Sequence, residues 1–119
     1  MSSDRQQRLS RESSEEGPVP NVVVRYRTKP DRGDENQHLI EKVFAELAEL
    51  GDTGFSCMSL RGDDGVSFVH VSVEHDRAGT TSLADVPAFQ AFTAHIADRC
   101  DEPPVAIGVS VVGTHGFTF

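Results

Sequence analysis

At 119 residues the chain has room for one globular domain, and 37% hydrophobic with 25% charged residues is a globular composition. Its net charge of −8 is the wrong sign for affinity built on phosphate neutralisation, which argues against nucleic acid as a partner. No apolar stretch approaches the roughly 18 residues of a membrane helix, and the start MSSDRQQRLSRESSEEG lacks the apolar segment of a signal peptide, so no membrane contact and a reducing, cytoplasmic setting are expected.

Residues 1–20 read as a disordered tail. Leu9 is nearly the only strongly apolar side chain before Gly17, too little to offset the entropy of ordering the segment. Arg5, Arg8 and Arg11 are cancelled by Asp4, Glu12, Glu15 and Glu16, so the acidity belongs to the domain expected over residues 21–119. Pro18 and Pro20 make a stiff lead into it.

Asn21 to Thr28 is rich in β-branched and aromatic residues and closes on Lys29-Pro30-Asp31, a strand followed by a turn. Val22, Val24 and Tyr26 share one face; Val23, Arg25 and Arg27 share the other. Asp34 to Leu50 is an amphipathic helix, with Leu39, Ile40, Val43, Phe44, Leu47 and Leu50 on one stripe, Asp34 and Gln37 spaced as a capping box, and Gly51 as terminator. Thr53–Arg61 and Val66–His75 flank Gly62-Asp63-Asp64-Gly65 and form a hairpin. Asp76 to Thr81 is a loop by composition, and residues 74–81 read as an ordinary exposed connection, the alternative being a lid over the cleft. A second helix starts at Ser82 or Asp85, carries Phe89, Phe92, Ile96 and Cys100, and is stopped by Pro103-Pro104; a last strand covers Val105 to Thr114.

The order βαββαβ predicts an α+β, ferredoxin-like fold with an antiparallel sheet in order 4-1-3-2 and both helices on one face. Placing the aliphatic rows against the helices assigns Met58, Leu60, Val69, Val71, Val73, Val105 and Ile107 to the core. Arg25, Arg27, Phe68, His70 and Ser72 then share the open face, apolar enough in its other residues to predict a homodimer through that face.

NVVVRYRTKP, HLIEKVFAELAEL, GVSFVHVSVE, the PAFQAF helix and the closing VAIGVSVVGTHGF together resemble the dimeric α+β barrel superfamily, most nearly its antibiotic-biosynthesis-monooxygenase-like branch. The resemblance spans residues 21–119 and implies sheet-to-sheet dimers with a small-molecule cleft. It also implies, for some members, oxygenation without a cofactor, so none is expected. The tryptophan and asparagine of the better-understood members are not matched: the chain has no Trp, and its only asparagines are Asn21 and Asn36.

The candidate site drawn from the residues has His70 as proton handler, with Arg25, Arg27, Phe68 and Ser72 binding an anionic or aromatic ligand. The expected function is small-molecule binding, with cofactor-free monooxygenation of an aromatic or polyketide-like compound; the alternative is a non-catalytic ligand-binding or regulatory module. The competing reading, which the heavy use of Arg at dimer interfaces favours, has Arg25 and Arg27 pairing with acidic residues across a dimer and His70 as a satisfied interface histidine. His38, His70, His75, His95, His115, Cys57 and Cys100 show no ligand spacing, so no metal is expected.

Overall fold

The computed structural model describes residues 21–51, 53–74 and 82–117. The proposed tail, and all but the first residue of the loop over residues 74–81, lie outside them. The elements are β1 (Val22–Thr28), α1 (Gly33–Leu50), β2 (Phe55–Arg61), β3 (Ser67–Glu74), a 3-10 turn (Leu83–Asp85), α2 (Pro87–Ala94), α3 (Ile96–Arg99) and β4 (Cys100–Gly108). All sheet pairings are antiparallel, in the order β2-β3-β1-β4, which is 4-1-3-2 read from the other edge. The ferredoxin-like α+β architecture is therefore the one expected.

Local chemistry explains the element ends. Gly51 has φ 77° and terminates α1 in the left-handed region where a side chain is costly. The Asp64 carboxylate accepts the Val66 and Ser67 amides and the Ser67 hydroxyl, closing the β2–β3 turn, and these bonds hold its pKa down at about 2. The start of α1 differs from the capping box. Asp34 pairs instead with Arg61 at 3.0 Å, Gln37 accepts from Arg61 at 2.7 Å, and Arg32 sits at the N-cap without a capping side chain. Ser82 caps the 3-10 turn and Pro87 opens α2. The Glu46 carboxylate of α1 accepts the Ala88 amide at 3.0 Å, tying the first turn of α2 to α1.

Three boundaries depart from the expectation. The second helix is divided at His95, and β4 begins at Cys100 and ends at Gly108 instead of running from Val105 to Thr114, so Pro103 and Pro104 lie inside a strand. They fit because β4 is an edge and the ladder is bulged there: Arg25 pairs with Val105 and Arg27 with Glu102, leaving two residues of β4 opposite Tyr26 alone.

The larger correction concerns the faces. Val24 pairs with His70 and Tyr26 with Phe68, so Phe68 and His70 share the helix side with the buried Tyr26. Ser59 pairs with His70 and Cys57 with Ser72, which brings Cys57, Ser59 and Ser72 to the same side. Met58, Leu60, Val69, Val71, Val73, Val105 and Ile107 fall on the open face with Val23, Arg25 and Arg27; Leu60 is 50% exposed and Ile107 52%. The core on the helix side is Tyr26, Ile40, Val43, Phe68, Ala88 and Phe92.

Candidate functional site

A cleft of about 340 Å3 opens between the helix side of the sheet and the layer made by α1, α2 and α3. Val22, Val24, Phe44, Leu83, Phe89 and Ile96 supply apolar wall, and Tyr26, Ser59, His70, Ser72 and Cys57 supply the polar positions on its sheet floor. A second cleft of about 530 Å3, between α1 and β2, adjoins it and shares Cys57 and Ser59; Gln37, Glu41 and Arg61 are at its polar edge.

The floor is organised by one continuous chain of hydrogen bonds. Arg99 Nε donates to Asn36 Oδ1 at 3.0 Å, and Asn36 Nδ2 donates to the Tyr26 hydroxyl at 2.7 Å. That hydroxyl is 2.8 Å from His70 Nε2, and His70 Nδ1 is 2.6 Å from Ser59 Oγ. Five residues from five elements are thus linked, and the sheet register dictates the last step by setting Ser59 directly opposite His70. Aromatic packing fixes the middle: Tyr26 stacks on Phe68 at 5.5 Å between centroids, and Phe92 presents its ring edge-on to His70 at 5.6 Å.

The electrostatics follow from burial. Desolvation pushes the Tyr26 phenol up to about 12, against the opposing pull of the Asn36 hydrogen bond. Burial pulls His70 down to about 4, so the imidazole is neutral at physiological pH. Cys57, beside it, is also pushed up by burial and stays a thiol. The remaining charge is Arg99, 1% exposed, which also donates to the Phe92 carbonyl at 2.7 Å and lies over the Phe92 ring.

Of the residues anticipated from sequence, His70 and Ser72 line this cleft, and Phe68 is buried beneath Tyr26 and lines the adjoining one. Arg25 and Arg27 do not join them. Both are exposed on the far side of the sheet, where Arg27 lies 3.8 Å from Glu102 of β4. Ser59, Asn36, Arg99 and Tyr26 are not among the site residues anticipated from sequence. A signal for two of them was present: Asn36 continues the α1 stripe of Ile40 and Val43 at helical spacing, and Arg99 follows Phe92 and Ile96 in the same manner. A polar residue on an apolar stripe needs a partner once buried. Among the described residues no group of three or more His, Cys, Asp or Glu is placed to hold a metal ion, and no helix is long and apolar enough to cross a membrane.

No protein-family model and no curated protein matches the sequence. Solved structures do match. A protein assigned to the antibiotic biosynthesis monooxygenases from Bacteroides thetaiotaomicron superposes with a TM-score of 0.65 at 14% identity, covering 83% of this chain and 93% of its own. The chain shares the ferredoxin-like α+β fold of that protein. Rv0793 from Mycobacterium tuberculosis shares that fold with a TM-score of 0.62 at 15% identity over 79% of this chain and 95% of its own. So does a mutant of SnoaB, a cofactor-independent oxygenase from Streptomyces nogalater, at 0.54 and 18% identity over 82% and 96%. At these identities the likeness extends to the fold alone, and this chain's site is defined by its own residues.

Proposed function

We propose that this protein binds a small aromatic or polyketide-like compound in the cleft above Tyr26, His70 and Ser59 and oxygenates it without a cofactor, working as a homodimer. The observation that carries the reading is an apolar cleft of about 340 Å3 with a hydrogen-bonded chain embedded in its floor. Cavities of this size and polarity suit compounds of a few rings, with a small number of polar contacts to set their orientation. The match to a structure described as a cofactor-independent oxygenase supports the same direction.

In this reading the apolar walls hold the rings and the Ser59–His70 end meets a ring oxygen. An ionised phenol or enol is electron-rich enough to reduce O2 itself. One oxygen atom becomes bonded to the ring carbon, and the other leaves as water with the hydrogen of that carbon and the phenolic proton, so a phenol and O2 yield a quinone and water. The site's contribution is to exclude bulk water and to stabilise charge on the ring oxygen in a low-dielectric setting. Arg25 and Arg27, on the opposite face, have no part in it.

The low basicity of His70 favours a second reading, a ligand-binding module with no turnover, because an imidazole held neutral down to about pH 4 is a poor general base at neutral pH. An aerobic absorbance screen of dihydroxy-aromatic compounds, with and without added flavin, separates the two. Oxygenation is expected without flavin, with His70→Ala losing turnover while retaining binding. Equal turnover in His70→Ala would remove His70 from the chemistry, and binding without turnover in the unaltered protein would favour the module.

A further inference from the structure

Taking the cleft reading above as its basis, we infer that buried Arg99 and Asn36 are positioning residues that give the hydrogen-bond chain a single direction, so that Ser59 offers its proton to the cleft and the ligand oxygen placed there is a hydrogen-bond acceptor. Each link follows from what the groups can do. A guanidinium only donates, so the Asn36 oxygen faces Arg99 and the Asn36 amide nitrogen faces Tyr26. The Tyr26 oxygen therefore accepts from Asn36, and its own proton has His70 Nε2 as the acceptor within reach. A neutral imidazole that accepts at Nε2 carries its proton on Nδ1, which donates to Ser59 Oγ. The Ser59 hydroxyl proton is then directed away from His70, at a position lining both clefts.

The driving element is an unusual one. Arg99 is 1% exposed and Asn36 0%, and no carboxylate among the described residues lies within ion-pair distance of the guanidinium. Its direct contacts are two neutral oxygens and an aromatic ring, with the Glu35 carboxylate acting on it only from beyond ion-pair distance, so it polarises the donors that lead away from it. A phenolate, enolate or ketone oxygen completes the chain at Ser59. A ligand oxygen whose only role is to donate meets the hydroxyl proton instead.

Asn36→Asp tests this because it is nearly isosteric and gives Arg99 a carboxylate. The Asp carboxylate has no proton to give Tyr26 and accepts from it instead. Tyr26 then accepts from His70 Nε2–H, His70 Nδ1 accepts from Ser59, and Ser59 shows the cleft its lone pairs. Nitrogen NMR of ring-labelled histidine, with His70 assigned through His70→Gln, should show the Nδ1–H tautomer in the unaltered protein and the Nε2–H tautomer in folded Asn36→Asp. An Nε2–H tautomer in the unaltered protein, or none changing in the variant, overturns the inference. In parallel, α-tetralone, which only accepts, should bind about tenfold more weakly to Asn36→Asp and to Ser59→Ala, while α-naphthol, which can donate, should lose less in Asn36→Asp. Equal losses for both probes overturn the ligand assignment. Failure of both probes to bind the unaltered protein counts against the cleft reading itself, and the tautomer still decides the direction of the chain.

Discussion

His70 is neutral in the fold because burial holds its pKa at about 4, whereas in an unfolded chain it titrates near 6.5. Between those values the unfolded state binds a proton that the folded state refuses, so stability falls as pH is lowered through the window and is constant with respect to this group below it. From the difference, acidification from about pH 7 to about pH 5 should cost about 2 kcal/mol. Urea unfolding at both pH values checks this, and His70→Gln should flatten the slope; an unchanged slope would mean that other groups produce it. Asn36, Ser59 and Arg99 show why a site can be half-hidden in a sequence. His70 stands out by its chemistry, but a serine in a strand or an asparagine in a helix carries no mark of its partner. That partner comes from elements 11 to 63 residues away in the chain, as the Ser59–His70 and Asn36–Arg99 bonds illustrate.

At the scale of elements, β1, β2, β3 and α1 were readable to within a residue or two, since period-2 and period-3.6 patterns are local properties of the chain, whereas β4 lies five to six residues earlier than its aliphatic pattern suggested. The side of the sheet was not. Val69, Val71 and Val73 form the most aliphatic row of β3 and read naturally as core, yet the register pairs Tyr26 with Phe68 and turns that row outward. Alternation says which residues share a face and is silent on which face is covered, and here both are apolar. The prolines misled for a related reason: Pro103-Pro104 signals a break, but a bulged edge strand accommodates them. α2 is the element on which the cleft depends most. Phe92 is 5% exposed and touches the Tyr26, His70 and Arg99 groups together. Phe92→Ala should therefore cost about 3 to 4 kcal/mol of stability by thermal or chemical unfolding. It should also weaken α-tetralone binding; a loss below about 1 kcal/mol would mean that the α2 layer is loosely packed.

For the whole molecule, the outward aliphatic row produces an open face more apolar than the sequence suggested. Val23, Met58, Leu60, Val69, Val71, Val73, Val105 and Ile107 lie on it, with Arg25 and Arg27 toward one end. An apolar face of this extent is a candidate interface, and a second copy supplies a matching one. Light scattering at micromolar concentration should give twice the 12.9 kDa chain mass. Leu60→Lys, at a half-exposed position away from the cleft's polar chain, should halve that mass while leaving the circular dichroism of the fold intact. A monomeric unaltered protein would require another explanation for the exposed aliphatic row.

The proline pair in β4 bears on what kind of assembly is open to the chain. An edge strand with a full set of outward amides invites another strand, and one added strand exposes a fresh edge for the next, so that growth has no natural end. Proline has no amide hydrogen, and two in succession fall at a bulge on this margin, where both the donor pattern and the straightness needed for docking are interrupted. With lateral extension discouraged on that side, stickiness is concentrated on the flat of the sheet, where two copies exhaust each other's surface. Such an arrangement favours a particle of fixed size over an indefinite ribbon, and it lets the chain carry a broad aliphatic surface without the hazard of fibre formation along β4.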